Sequence, residues 1–132
     1  LDKTLDTDLP KLIFMHIPPA YLKGKIHSIG PEQDAPKLLP NGYFNEGSAR
    51  FGEIVRERKV TRVYMGHIHA FGVGEHEGVR YVLTAGGGSP LYPTPPGYPT
   101  RKKAHYLLLR ADGGNLRETV HELDGTVFPI NL

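Results

Sequence analysis

Three of the seven histidines in this chain stand where imidazoles could work together. His67 and His69 follow Gly66 in "VYMGHIHAF", residues 63–71, at the end of an apolar run, and His16 closes another such run in "LIFMHIPP", residues 12–19. In an extended segment, residues i and i+2 point the same way, roughly 6 to 7 Å apart, so His67 and His69 can face one pocket. Neutral imidazole is a frequent metal ligand, and two at that spacing suit ions about 3.5 to 4 Å apart, as in two-metal hydrolytic sites. Gly66 removes a side chain where the backbone turns and where ions or substrate come close. A lone histidine at a strand end is more often an ordinary polar residue. The HxPP sequence after a second apolar run favours ligation here.

For His16 to join the other two, the chain must return to the same edge. "LIFM" reads as a buried strand stopped by Pro18, which cannot continue a ladder. Asn45 is a good N-cap for an amphipathic helix over about 46–58, with Phe51, Ile54 and Val55 at helical spacing. "VTRVYMG", residues 60–66, is the next strand. A strand, helix, strand unit most often lays its two strands parallel, which brings His16 and His67 to the C-terminal edge where open α/β sheets build their sites.

The remaining elements are β-rich. "AFGVGEHEGVRYVLTAGGG" predicts a hairpin turning near His76 to Gly78, and "AHYLLLRADGGNLRETVHEL" a second around Asp112 to Gly114. "TVFPINL" adds a short strand. Residues 20–42 carry several Gly and Pro without a period and read as a long loop. Leu1, Leu5 and Leu9, four apart, fit the last turns of a helix beginning before the chain does, and a chain beginning with Leu rather than Met is expected either to be a processed product or to have more polypeptide upstream.

Composition narrows the partners. The chain has 132 residues, enough for one domain, and 16 Lys and Arg against 14 Asp and Glu give a net charge of +2, too even to imply nucleic acid. There are no cysteines, so any metal must use His, carboxylate or backbone oxygen. No apolar run approaches the roughly 18 to 20 residues that span a bilayer.

Other candidates are weaker. His27 reads as a solvated loop residue, His76 as a hairpin tip, and His105 and His121 as surface or packing residues. Tyr92 and Tyr98 in the Pro-rich loop could stack on a substrate, and Arg101, Lys102 and Lys103 could attract phosphate. Gly86 to Gly88 lacks the helix and Lys of a P-loop.

Taken together, "LIFMHIPP", "VYMGHIHAF" and "YVLTAGGGSPLY" resemble the C-terminal half of a calcineurin-like metallophosphoesterase, over roughly residues 1–125. The resemblance implies an α/β fold: the C-terminal half of a four-layer α/β/β/α sandwich, β-rich with one main helix, residues 1–132 being a single C-terminal portion of the domain. It implies a phosphatase or phosphodiesterase acting with two metal ions, Mn, Fe or Zn, on a phosphoester substrate. His16 and His67 would bind the second metal and His69 the first. No catalytic residue is assigned, and no substrate-binding one. The family's upstream motifs DxH, GDxxD and GNH[DE], which supply the bridging Asp and the catalytic His, are absent from this sequence.

Three neutral imidazoles neither compensate two cations nor fill their coordination, so metal binding by this chain alone is expected to be weak or absent. The alternative is a non-catalytic β-rich binding or assembly module, with self-association through the exposed face of a half-sandwich. Negligible hydrolysis of an activated phosphodiester by the chain alone is the expected outcome; turnover abolished by His67→Ala would refute it.

Overall fold

A computed structural model describes residues 1–28, 37–38, 42–88, 90 and 103–130, with 27–28 and 37–38 described by their backbone only. In chain order the elements are β1 (Leu12–Met15), a 3₁₀ turn (Ala20–Leu22), β2 (His27–Ser28), β3 (Lys37–Leu38), α1 (Ser48–Glu57), β4 (Arg62–Met65), β5 (Phe71–His76), β6 (Val79–Thr84), β7 (His105–Asp112), β8 (Asn115–Glu122) and β9 (Val127–Pro129). The architecture is mixed α/β, β-rich, with one main helix, as the sequence leads one to expect.

β1 and β4 are parallel neighbours, Leu12 opposite Arg62 through Met15 opposite Met65, and β6 lies parallel on the far side of β4. The hairpin β5–β6 then turns the sheet antiparallel, and β2 and β3 extend it to the order β1-β4-β6-β5-β2-β3. A second sheet, β7-β8-β9, is antiparallel throughout. Both long hairpins turn where the sequence places them. In the second, Gly113 and Gly114 take φ of +53° and +87° between Asp112 and Asn115, the pair of left-handed residues that a two-residue hairpin needs.

Side-chain alternation assigns the two faces of the large sheet. Val63 and Met65, with Val79, Tyr81 and Leu83, pack under α1 through Val55, Phe51 and Ile54. Tyr64, Phe71, Val73 and Val82 point the other way and meet Val120, Phe128, Leu107 and Leu109 of the small sheet. The result is three layers, helix, sheet and sheet; a second helical layer is not found among the described residues.

Several local readings change. α1 begins at Ser48 with Gly47 as its cap, in a left-handed conformation at φ +74°, so Asn45 serves only by accepting from the Ser48 N–H at 3.1 Å. It ends where Lys59, at φ +50°, lets the Val60 N–H reach back to the Val55 carbonyl at 2.9 Å. Residues 1–9 form no helix: one turn is closed by Leu5 N–H on Leu1 C=O at 3.1 Å, and Leu5 alone is buried while Leu9 is 71% exposed. The span read as a long loop contains a 3₁₀ turn and the strands β2 and β3; residues 29–36 and 39–41 lie outside those described. β1 is apolar on both faces yet is an edge strand, leaving Phe14 67% exposed, because the small sheet covers β4, β5 and β6 and does not extend over it.

The two sheets also share a buried charge. Glu118 on β8 accepts from Tyr64 Oη at 2.8 Å and Arg62 Nε at 3.1 Å, with Arg80 Nη1 at 3.5 Å. Burial and this carboxylate hold the Tyr64 phenol protonated, well above the usual range. Removing one member of a buried pair strands the other charges. Glu118→Ala is therefore expected to lower stability by about 3 to 5 kcal/mol in urea denaturation; a change under about 1 kcal/mol would show the network to be solvated.

Candidate metal centre

The parallel ladder does not stop at Met15 and Met65. Gly66 donates its N–H to the His16 carbonyl at 2.9 Å, one step beyond the last strand pair. His16 and His67 thereby meet edge to face, ring centres 5.2 Å apart and planes at 72°. Two imidazoles sharing one tetrahedral ion, with metal–nitrogen bonds of about 2.0 to 2.1 Å, have ring centres about 5 Å apart. The same spacing also serves edge-to-face packing of rings, so the distance permits ligation without requiring it.

The backbone here is not the extended segment expected from the sequence. β4 ends at Met65, and Gly66 to Ala70 form consecutive tight turns, with Ile68 N–H on Gly66 C=O at 2.8 Å and Ala70 N–H on Ile68 C=O at 2.7 Å. The left-handed residue is His67, at φ +68°, rather than Gly66. A side chain in that region costs about 1 to 3 kcal/mol and persists where its surroundings impose it, most often at functional positions. Gly66 is less demanding than expected: a Cβ there would make ordinary contact with His16 Nδ1 at 3.5 Å.

His69 sits on the following turn. Its Nδ1 is 2.8 Å from the Pro90 carbonyl, which can only accept, so Nδ1 carries a proton and the neutral ring presents its lone pair at Nε2. A carbonyl in this role is the usual device that orients a ligating imidazole. Even so, among the described residues no three His, Asp or Glu side chains stand close enough to hold an ion. The structure brings His16 and His67 together and leaves His69, two residues on from His67, outside a common set.

Two neighbours of the site were not legible beforehand. Phe44 brackets the Pro pair, donating its N–H to Pro18 C=O at 2.9 Å and accepting from Ala20 N–H at 2.8 Å. Gly42, at φ +94°, lies against Ile68 and His67, where a Cβ would be 2.7 Å from Ile68 Cγ1. Between them burial pushes the Tyr43 phenol up to about 12. These contacts join segments far apart in sequence and carry no local pattern.

The other histidines have different tasks. His105 is 4% exposed, with Nδ1 on the Lys103 carbonyl at 2.8 Å and Nε2 against Thr84 Oγ1 at 3.2 Å, so both nitrogens are occupied. Its ring covers Gly86, which explains that glycine: a Cβ there would come within 2.2 Å of Nδ1. His121 stacks on Tyr106 at 4.8 Å. His76 ends β5 next to the hairpin turn, stacked on Tyr21 at 4.9 Å, and accepts from Lys25 Nζ at 2.6 Å. Burial, then the Lys25 ammonium, hold it below its ordinary value of 6.5. His27 lies in β2 as far as its backbone is described. Tyr92, Tyr98, Arg101 and Lys102 lie outside the described residues, and Lys103 bonds Asp124 at 2.9 Å.

No protein-family model matches this sequence, and no curated protein matches it. Among solved structures the chain is similar to Vps29 from Entamoeba histolytica complexed with zinc, at 18% identity over 83% of this chain and 59% of that one, with a TM-score of 0.42. It is also similar to a conserved uncharacterized protein of Streptococcus pneumoniae, described as a predicted phosphoesterase, at 13% identity over 76% and 56%, with a TM-score of 0.40. A single mutant of the same Vps29 gives 14% identity over 99% and 86%, again with 0.40. The chain thus spans under two thirds of the length of the first two. Likenesses at this level attach no activity or ligand to it.

Two outcomes follow from the geometry. His67→Gly is expected to be about 1 kcal/mol more stable than His67→Ala, since Ala retains the left-handed cost and Gly does not; equal urea midpoints would remove the strain. For His76, the unfolded chain takes up a proton that the folded chain resists, so stability is present above pH 6.5 and lost as pH falls through 6.5 toward the lower folded value. The unfolding midpoint should therefore fall further between pH 7.5 and 5.5 for the wild type than for His76→Gln, each pH being an assay point of about that value.

Proposed function

We propose that this chain contributes His16, His67 and His69 to a metal-dependent phosphoester hydrolase whose carboxylate ligands come from other polypeptide. The observation that carries the reading is the convergence of His16 and His67 at the C-terminal ends of adjacent parallel strands, with His67 held in a strained backbone conformation. Imidazole donors suit zinc and iron, and carboxylates supplied from elsewhere would suit manganese. His16 and His67 would hold one ion and His69 the other. When bound, such a pair polarises the phosphoryl group and offsets its charge.

The chain's own residues do the positioning. The Gly66 to His16 hydrogen bond fixes the distance between two strand ends, and the Pro90 carbonyl sets the tautomer of His69. The Phe44 bracket holds the Pro pair behind His16. The described residues bring no carboxylate into a three-membered set with these rings, so the charge needed between two cations has to be supplied from outside them.

The test reads the gene. A reading frame that continues upstream of Leu1 and contains DxH, GDxxD and GNH[DE] is expected; an initiator codon directly before Leu1 would overturn the two-metal reading for this product. In the longer protein, His67→Ala is expected to reduce metal content and rate together, by about 100-fold or more in rate, and unchanged activity there would refute the assignment.

A second reading, an assembly module, is favoured by one observation: Leu12 and Phe14 of the edge strand are 37% and 67% exposed. Concentration-dependent sedimentation of the chain would support it, and a compact monomer at every concentration would count against it.

A further inference from the structure

The outward face of the β7-β8-β9 sheet carries a second feature, remote from the histidine pair in both sequence and layer. Strand register sets Arg110 directly opposite Arg117. Like charges facing each other across an antiparallel ladder destabilise it, and among the described residues no carboxylate pairs with either guanidinium. The next row toward the hairpin turn is Asp112 opposite Asn115, and the rows on the other side are Leu108 opposite Thr119 and Tyr106 opposite His121.

The face is therefore graded. At one end the Tyr106 and His121 rings stack at 4.8 Å beside Val127, and Tyr106 and Val127 are 57% and 54% exposed. At the other end stand the two arginines. Leu108, Arg110, Arg117, Thr119, His121 and Val127 line a shallow hollow of about 290 Å³. Exposed Tyr and Arg next to apolar side chains are the residues that dominate protein–protein binding energy.

We propose that this face docks an acidic protein segment, with a carboxylate of the partner between Arg110 and Arg117 and its apolar side chains on Leu108, Tyr106 and Val127. Charge complementarity carries the assignment: the partner's carboxylate relieves the repulsion that the free ladder sustains, so binding gains at a position where folding loses. A nucleic-acid strand fits less well. It needs a track of cations along its backbone, whereas this face has one cationic row bounded by Asp112, on a chain with 16 basic and 14 acidic residues.

The test uses the whole chain, labelled with ¹⁵N, and three probes: a peptide alternating Glu with Leu and Tyr, the same peptide with Lys in place of Glu, and an oligothymidylate. The acidic peptide is expected to shift the amides of strands β7 and β8 around Arg110 and Arg117. Arg110→Gln and Arg117→Glu should each weaken it by about tenfold or more, and added salt should weaken it further. Because Arg117→Glu sets opposite charges across the ladder, its unfolding midpoint should hold or rise, which separates lost binding from lost fold. Absence of shifts on this face, shifts indifferent to both substitutions, or equal binding of the Lys peptide or the oligothymidylate would each overturn the proposal, as would a lowered midpoint in Arg117→Glu.

Discussion

The candidate site depends on one hydrogen bond, from the Gly66 N–H to the His16 carbonyl, because it carries the β1–β4 ladder one residue past the strands themselves. Parallel pairing has evenly spaced bonds, so the register at Leu12 opposite Arg62 propagates unchanged to the strand ends. Once Gly66 is locked to His16, the next residue has little freedom. His67 must leave the ladder and reverse direction within a single turn, and the left-handed conformation follows from that reversal. The close approach of the two imidazoles is thus a consequence of register, with Gly42 packed against His67 and Ile68.

A second constraint keeps that ladder in place. β4 lies inside the large sheet between β1 and β6, and its two faces are served by different forces. Val63 and Met65 are held by apolar contact beneath α1, where burial is non-directional and tolerant. Tyr64 and Arg62 face the small sheet and converge on Glu118, where hydrogen-bond geometry fixes the angle at which the sheets meet. A buried ion pair is weak evidence for net stability, because desolvation offsets much of its attraction, but its geometry is directional. Here it aligns β8 against β4 and β6, and with β8 the hairpin that presents Arg110 and Arg117 outward.

Environment divides the histidines more sharply than residue type does. His105 is enclosed, with a partner on each nitrogen, and acts as a wedge over Gly86. His76 is held neutral between a phenol ring and an ammonium group. His16, His67 and His69 differ in lying just past strand ends, His16 directly after β1 and the other two in the tight turns that follow β4. That placement suits ligation, and the absence of carboxylates from their sequence neighbourhood is what directs the reading toward a shared site.

Sequence alone determined the elements whose signals are local. The hairpins at Glu77–Gly78 and Gly113–Gly114 announce themselves by turn residues, α1 by its apolar spacing, and the parallel β1–β4 pair by the crossover between them. The convergence of His16 with His67 followed from that crossover. Tertiary structure decided what depends on neighbours distant in the chain. β1 reads as a strand buried on both faces, yet its place at the sheet edge leaves Phe14 exposed, since burial belongs to what packs against a strand and not to the strand itself. Likewise the i, i+2 spacing of His67 and His69 implies a shared direction only if the backbone is extended. The Gly66 hydrogen bond ends the strand before that geometry applies, and no pattern of residue types within the segment encodes where a ladder with a remote partner will stop.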